Sequence, residues 1–234
     1  MITCFIIIGI AFILMIYYII LKSKKYDAKE LMVKISVSLL FVALALVASL
    51  KASAFGLMNV LVILGLVLGL IGDILLDLKY IDTERTTIYT YGGFIVFGIG
   101  HILYMTALIS SFYKQGGILY IIIAIVIDLI ASILTILLER PLKLNYGKMK
   151  MICFGYALCL FGTFAFSLML AIQNCFQILS LNMLFIGAIL FAISDLVLSG
   201  TYFGEGKERP IDFILNYSTY YAAQFIIAFA LLFI

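Results

Sequence analysis

Two aspartates, Asp73 and Asp195, lie inside long apolar runs, LGLVLGLIGDILLDL and GAILFAISDLVLSG. A carboxylate is costly in hydrocarbon, so one placed there normally faces a protein interior or a water-filled cavity and marks function. Each follows a small residue, Gly72 or Ser194. Two such groups in one site can divide acid and base work. Burial and mutual repulsion favour the protonated form of one while the other keeps its charge. Glycosidases use paired carboxylates around an oxocarbenium-like state on the same logic. The spacing does not say which aspartate is the acid.

The elements that carry them are membrane helices. Hydrophobic residues make up 66% of the 234 and charged residues 12%, far from the balance of a water-soluble domain. A bilayer crossing takes about 20 apolar residues. Eight such runs are present, at roughly 2–21, 33–50, 57–76, 89–110, 117–138, 151–172, 178–199 and 213–234. Short connections leave no room for a separate soluble domain, so residues 1–234 read as one integral membrane domain. A closed β-barrel would alternate apolar and polar residues, and IIIAIVIDLIASILTILL does not. The first run has no basic residue ahead of it and no small-residue cleavage site after it, so it reads as a retained helix rather than a signal peptide.

Charge predicts the orientation. Lys22, Lys24, Lys25, Lys29, Lys79, Arg85, Arg140, Lys143, Lys148, Lys150, Lys207 and Arg209 fall in the loops after helices one, three, five and seven, with Lys34 at the adjoining start of helix two. The opposite side has Lys51 and Lys114. The positive-inside rule then places both termini outside the cell membrane and the odd loops in the cytoplasm. The net charge of +3 is this bias. No basic stripe interleaved with aromatics appears, and no nucleic-acid partner is expected.

Depth follows from helix rise. If helix three starts outside near Leu57, Asp73 lies about 24 Å along it, and Asp195 is similarly placed on helix seven. Both then sit in the cytoplasmic half of the bilayer. Helices four and eight enter from that side, with His101 and Gln224 near their midpoints and Tyr220 and Tyr221 about a turn shallower, so the polar residues converge on the cytoplasmic half. Phe97, His101, Tyr104 and Leu108 share one helix face, and Tyr217, Tyr221 and Gln224 share another. Asp73 and Asp195 are thus expected to face one cavity lined by His101, Tyr221 and Gln224. Asp77, next to a charged segment, reads as a solvated helix end. Asp128, followed by Ser132, Thr135 and Glu139 on one face, is either a second polar path or a buried helix contact.

Cys4, Cys153, Cys159 and Cys175 lack metal-ligand or disulfide-framework spacing and read as packing thiols. One histidine makes a poor metal site. No P-loop, dinucleotide fingerprint or zincin motif is present, and no cofactor is expected. GLVLGLIGDILL and GAILFAISDLVL align without gaps, matching Gly65 with Gly187 and Asp73 with Asp195. This suggests two parallel four-helix halves, 1–114 and 115–234. Chance matching of Leu-rich helices is the alternative.

GDILLDL, GHILYM, SDLVL and YYAAQF, taken together, resemble the YhhN-like membrane proteins, which include the lysoplasmalogenases. That family has eight helices and, in order, a GD motif, a His-x-x-Tyr motif, an SD motif and a Tyr-Tyr-x-x-Gln segment. Here these are Gly72–Asp73, His101 with Tyr104, Ser194–Asp195, and Tyr220–Tyr221 with Gln224. The resemblance covers nearly the whole chain. It implies cleavage of the vinyl ether of a lysoplasmalogen to a fatty aldehyde and a glycerophospho-base. It also implies Asp73 and Asp195 as the catalytic pair, with His101, Tyr104, Tyr220, Tyr221 and Gln224 around the substrate. Lys79, Arg85, Lys207 or Arg209 would meet the lipid phosphate at the mouth.

Other classes fit less well. An intramembrane aspartyl protease would carry Gly-x-Gly-Asp, but Leu70 stands at the first Gly. A ceramidase-type metal hydrolase would need several histidines. A proton-coupled transporter using Asp73, Asp128 and Asp195 would favour broken helices, but Pro141 and Pro210 fall in loops. A lipid-binding membrane protein is the remaining alternative.

Overall fold

The computed structural model describes residues 1–22, 28–204 and 209–234. Among the expected loop cations, Lys24, Lys25 and Lys207 lie outside these. Among the described residues the fold is all-α, with eight long helices: α1 (Ile2–Lys22), α2 (Ala28–Lys51), α3 (Leu57–Leu78), α4 (Thr86–Phe112), α5 (Ile118–Leu137), α6 (Lys150–Gln173), α7 (Leu179–Phe203) and α8 (Pro210–Ala230). Seven of the helical segments are long and apolar enough to cross a membrane. The eighth, α8, is diluted by its polar stretch from Asn216 to Gln224. It still packs as an interior helix, with Tyr217, Tyr220, Tyr221 and Gln224 buried.

Helix ends run beyond the apolar runs where polar residues are themselves buried. α2 begins at Ala28 rather than near 33, because Glu30 and Lys34 continue the buried face of Val37, Ser38, Phe41, Leu44 and Ala45. These positions recur every three or four residues, which places them on one helix side. α8 starts with Pro210 in its first turn, where a missing N–H costs nothing. Asp212 follows in that turn, where an acidic group suits the helix dipole.

Small residues set the closest approach. Gly65, Gly69 and Gly72 form a stripe on α3, and a Cβ at Gly72 would lie 2.5 Å from the Phe97 ring of α4. Without a hydrophobic force between helices in lipid, such stripes are where backbones come close enough to pack.

The larger helix contacts fall in corresponding pairs, whereas α1 on α8 and α3 on α8 have no counterpart. α1 on α2 matches α5 on α6, α2 on α3 matches α6 on α7, α3 on α4 matches α7 on α8, and α2 on α8 matches α6 on α4. α1 and α5 lie at the periphery. α5 buries only Ala124 and Ser132 along its length and turns a broad isoleucine and leucine surface outward.

Both termini lie at one end of the bundle. The Ser53 N–H and hydroxyl donate to the Ile234 carbonyl, and Lys51 Nζ donates to Thr3 Oγ1. The loops after α3, α5 and α7 gather at the other. There the Tyr91 hydroxyl donates to the Lys148 carbonyl, and the Asn145 N–H to the Phe203 carbonyl.

Candidate active site

A buried ion cluster ties α2 to α3. Lys34 is 4% exposed, and its ammonium lies 3.4 Å from Asp73 Oδ1 and 2.9 Å from Asp77 Oδ1. Ser38, one turn further along α2, donates to Asp73 Oδ2 at 2.6 Å. The Tyr220 hydroxyl of α8 donates to the same oxygen at 2.8 Å. The Tyr18 hydroxyl of α1 donates to Asp77 Oδ2 at 3.1 Å. Four helices thus converge on two carboxylates one turn apart.

This corrects two expectations. Asp77 is 1% exposed, not a solvated helix end. It points inward because it lies four residues after Asp73, on the same face of α3. Lys34, expected at the start of helix two on the positively charged side, is instead buried, because α2 begins earlier and carries it into the interior. The signal was present: Lys34 and Ser38 share the spacing of the apolar face that follows.

Asp195 is held differently. It is half-buried on α7 and accepts a hydrogen bond from the Tyr156 hydroxyl of α6. No ion pair reaches it among the described residues. Its neighbour Ser194 fixes α7 to α8, since Asn216 Nδ2 donates to the Ser194 carbonyl at 2.8 Å and to its hydroxyl at 3.0 Å. Tyr156 and Asn216 escaped the sequence reading. Tyrosine is unremarkable in a membrane helix, and a lone Asn has no motif.

Asp73 and Asp195 line one cavity of about 620 Å³. Lys34, Tyr156, Ser194, Asn216 and Tyr220 complete its polar end. Phe97, Leu160, Phe161 and Phe191 form apolar walls, continued by Ala131 and Leu134 of α5 and by Leu138 just past its end. The cavity lies toward the odd-loop end of the bundle. Its α3 and α7 residues come late in those helices, and its α2, α6 and α8 residues come early.

Of the five residues expected around the substrate, Tyr220 is on this wall. His101, Tyr104, Tyr221 and Gln224 are not. They sit deeper in the packing, all buried. Helical spacing gave the correct inward face but not the level at which the cavity ends. Three of these residues form a chain of donors leading to Asp73. The Tyr104 hydroxyl donates to Gln224 Oε1 at 3.4 Å, Gln224 Nε2 to the Tyr220 hydroxyl at 3.1 Å, and Tyr220 to Asp73. His101 Nδ1 lies 3.1 Å from Thr163 Oγ1, with its ring 4.6 Å from that of Phe191. Asp128 is off the cavity. It accepts from Ser132 at 3.1 Å and faces the α6 backbone at Gly162.

Most of the cations expected to meet a phosphate are already engaged. Arg209 pairs with Asp212 at 2.8 Å, Arg85 lies 3.9 Å from Asp82, and Lys79 lies 3.2 Å over the Tyr202 ring. Beyond the end of α5, the Lys150 ammonium (2.6 Å) and the Tyr146 N–H (3.0 Å) donate to Glu139 and hold its carboxyl below the usual range. No group of His, Cys, Asp and Glu suited to a metal ion exists among the described residues. The four cysteines are free thiols.

A model of the YhhN family matches residues 29–231. No curated protein and no solved structure matches the chain.

Proposed function

The chain belongs to the YhhN family, and from that premise we propose that it hydrolyses the vinyl ether of a lysoplasmalogen by two-carboxylate catalysis within the membrane. The observation that carries this reading is that Asp73 and Asp195 share one cavity whose remaining walls are largely apolar. Such a space suits an alkyl chain with an ether at its polar end.

The chemistry needs one proton donor and one negative partner. Protonation of the vinyl β-carbon leaves an oxocarbenium ion at the ether-bearing carbon. Water adds to that carbon and loses a proton. The hemiacetal then collapses, its hydroxyl proton leaving as the C–O bond to glycerol breaks, and the glycerol oxygen takes up a proton. Asp195, whose partner among the described residues is a neutral hydroxyl, supplies the first proton and recovers one from water. Asp73, set beside Lys34 and held by Ser38 and Tyr220, supplies the fixed negative charge facing the cation. A preorganised charge in a water-poor site stabilises developing charge more than it would in bulk water.

In the membrane, the charge bias of the odd loops favours placing this end in the cytoplasm. The decisive experiment incubates purified protein with lysoplasmalogen and with its saturated-ether analogue. Aldehyde release from the first alone is expected. Absence of aldehyde from both overturns the reading.

A further inference from the structure

The cavity wall is in part the outer surface of the bundle. Leu134 of α5, Leu138 and Leu142 beyond it and Leu196 of α7 all line the cavity, yet they are 45%, 41%, 49% and 55% exposed. Leu134 and Leu196 lie on helices long and apolar enough to cross a membrane. Between them Ala157, Leu160 and Phe161 of α6 form the floor. The space is therefore a cleft between α5 and α7 that leads inward to Asp73 and Asp195.

At the odd-loop end the cleft is strapped. Leu144 pairs with Gly204 as an isolated antiparallel bridge, and the Asn145 N–H donates to the Phe203 carbonyl at 2.8 Å. The opening thus faces sideways from the bundle, between α5 and α7. The strap segment that carries the lining residues Leu142 and Leu144 also carries two exposed cations, Arg140 and Lys143, neither in an ion pair among the described residues. Lys150 beside them is taken by Glu139.

We propose that the cleft between α5 and α7 is a lateral membrane opening that takes a single-chain phospholipid, with Arg140 and Lys143 binding its phosphate and the chain lying along Leu134, Leu138 and Leu196. This rests on the reading of the cavity as a lysolipid site and adds how the lipid enters and what holds its headgroup. About 620 Å³ is the size of a pocket for one small ligand. One chain fits that scale, and a two-chain lipid would leave its second chain outside.

The chain contains no tryptophan, so a single introduced indole reports without background. Leu134→Trp and Leu196→Trp place it on either lip of the cleft. Leu137→Trp, 64% exposed and off the cavity wall, is the lipid-facing control. Each variant is reconstituted and titrated with bromine-labelled lysophosphatidylcholine, monoacylglycerol or diacyl phosphatidylcholine, all with saturated, uncleavable chains.

The expected result is saturable quenching of both cleft indoles by the lysophospholipid, with the control following bulk lipid linearly. Two cleft positions guard against one variant failing to fold. Arg140→Ala with Lys143→Ala should raise the half-saturating lysophospholipid fraction by roughly tenfold, the scale of one lost charge-assisted contact. The same change should leave monoacylglycerol unaffected. Quenching at the cleft that tracks the control, or equal saturation by the diacyl lipid, overturns the single-chain opening. An unchanged half-saturation in the double variant overturns the phosphate assignment. Because binding is read without turnover, a protein that binds here yet releases no aldehyde would separate this inference from the proposed reaction.

Discussion

The Tyr156 hydroxyl reaches Asp195 from 39 residues earlier in the chain, and Lys34 reaches Asp73 from the same separation. In both cases the donor is on the second helix of a four-helix half and the aspartate on the third. Two parallel four-helix halves would give this shared separation, though the α1 and α3 contacts with α8 have no counterpart. The two half-sites are chemically unequal. One places an ammonium and a second carboxylate, Asp77, beside its aspartate, and the other places a neutral phenol. A shared cavity built from unequal halves is the physical basis for giving the two aspartates different jobs.

Lys34→Met removes the one cation shared by two buried carboxylates. Breaking a buried pair from one side leaves charge uncompensated and costs about 3–5 kcal/mol. The expected outcome is a large fall in melting temperature in detergent. A Lys34→Met, Asp77→Asn double variant should recover part of it, since one carboxylate has then been neutralised. Thermal unfolding of the purified variants checks both.

Gly72→Ala tests the close contact of α3 with α4. The added methyl would meet the Phe97 ring at 2.5 Å, and a ring edge within packed helices has little room to yield. Overpacking of this kind costs about 1–3 kcal/mol. Gly155→Ala, where a Cβ meets nothing within 4 Å, is the control and should change thermal stability little.

Acid should loosen the strap that closes the odd-loop end of the cleft. Glu139 accepts from Lys150 and from the Tyr146 N–H, and its carboxyl lies below its ordinary value of 4.5. A depressed carboxyl stabilises above its ordinary value, and that contribution is lost as pH falls through the depressed one. Hydrogen exchange at the Tyr146 amide, corrected for its intrinsic pH dependence, should therefore lose protection below about pH 4.5. Glu139→Gln should show reduced protection already at neutral pH.

The eight helices were legible because twenty-residue apolar runs have few other uses. The aspartates were legible because a carboxylate in such a run is conspicuous. Lys34 and Asp77 were legible only through their spacing, because near a run's edge a charge reads as solvent-facing unless the helix is known to continue. Tyr156 and Asn216 carry no signal apart from their partners, which come from other helices. The pairing of Tyr220 with Asp73 joins residues 147 apart, and no local pattern encodes it. His101, Tyr104, Tyr221 and Gln224 show the converse. Their spacing identified a buried face, but burial behind a wall and exposure on it produce the same periodicity.

Asp73→Asn and Asp195→Asn are each expected to abolish aldehyde release from lysoplasmalogen while the protein remains folded in detergent. Asn keeps the size of Asp and can still hydrogen bond to Tyr156, or to Ser38 and Tyr220, but it neither transfers a proton nor carries charge against a cation. Loss of a general acid or base costs about 10²–10⁴ in rate, and loss of a preorganised charge costs about 10²–10³. Tyr156→Phe removes only a donor to Asp195 and should fall well short of the Asn variants. Asp128→Asn, off the cavity, should retain most activity. Turnover by each purified variant, normalised to folded protein, is the measurement. If both Asn variants keep more than about a tenth of wild-type turnover, well above the residue left by losing an acid or base, the aspartates are structural and the two-carboxylate mechanism is wrong.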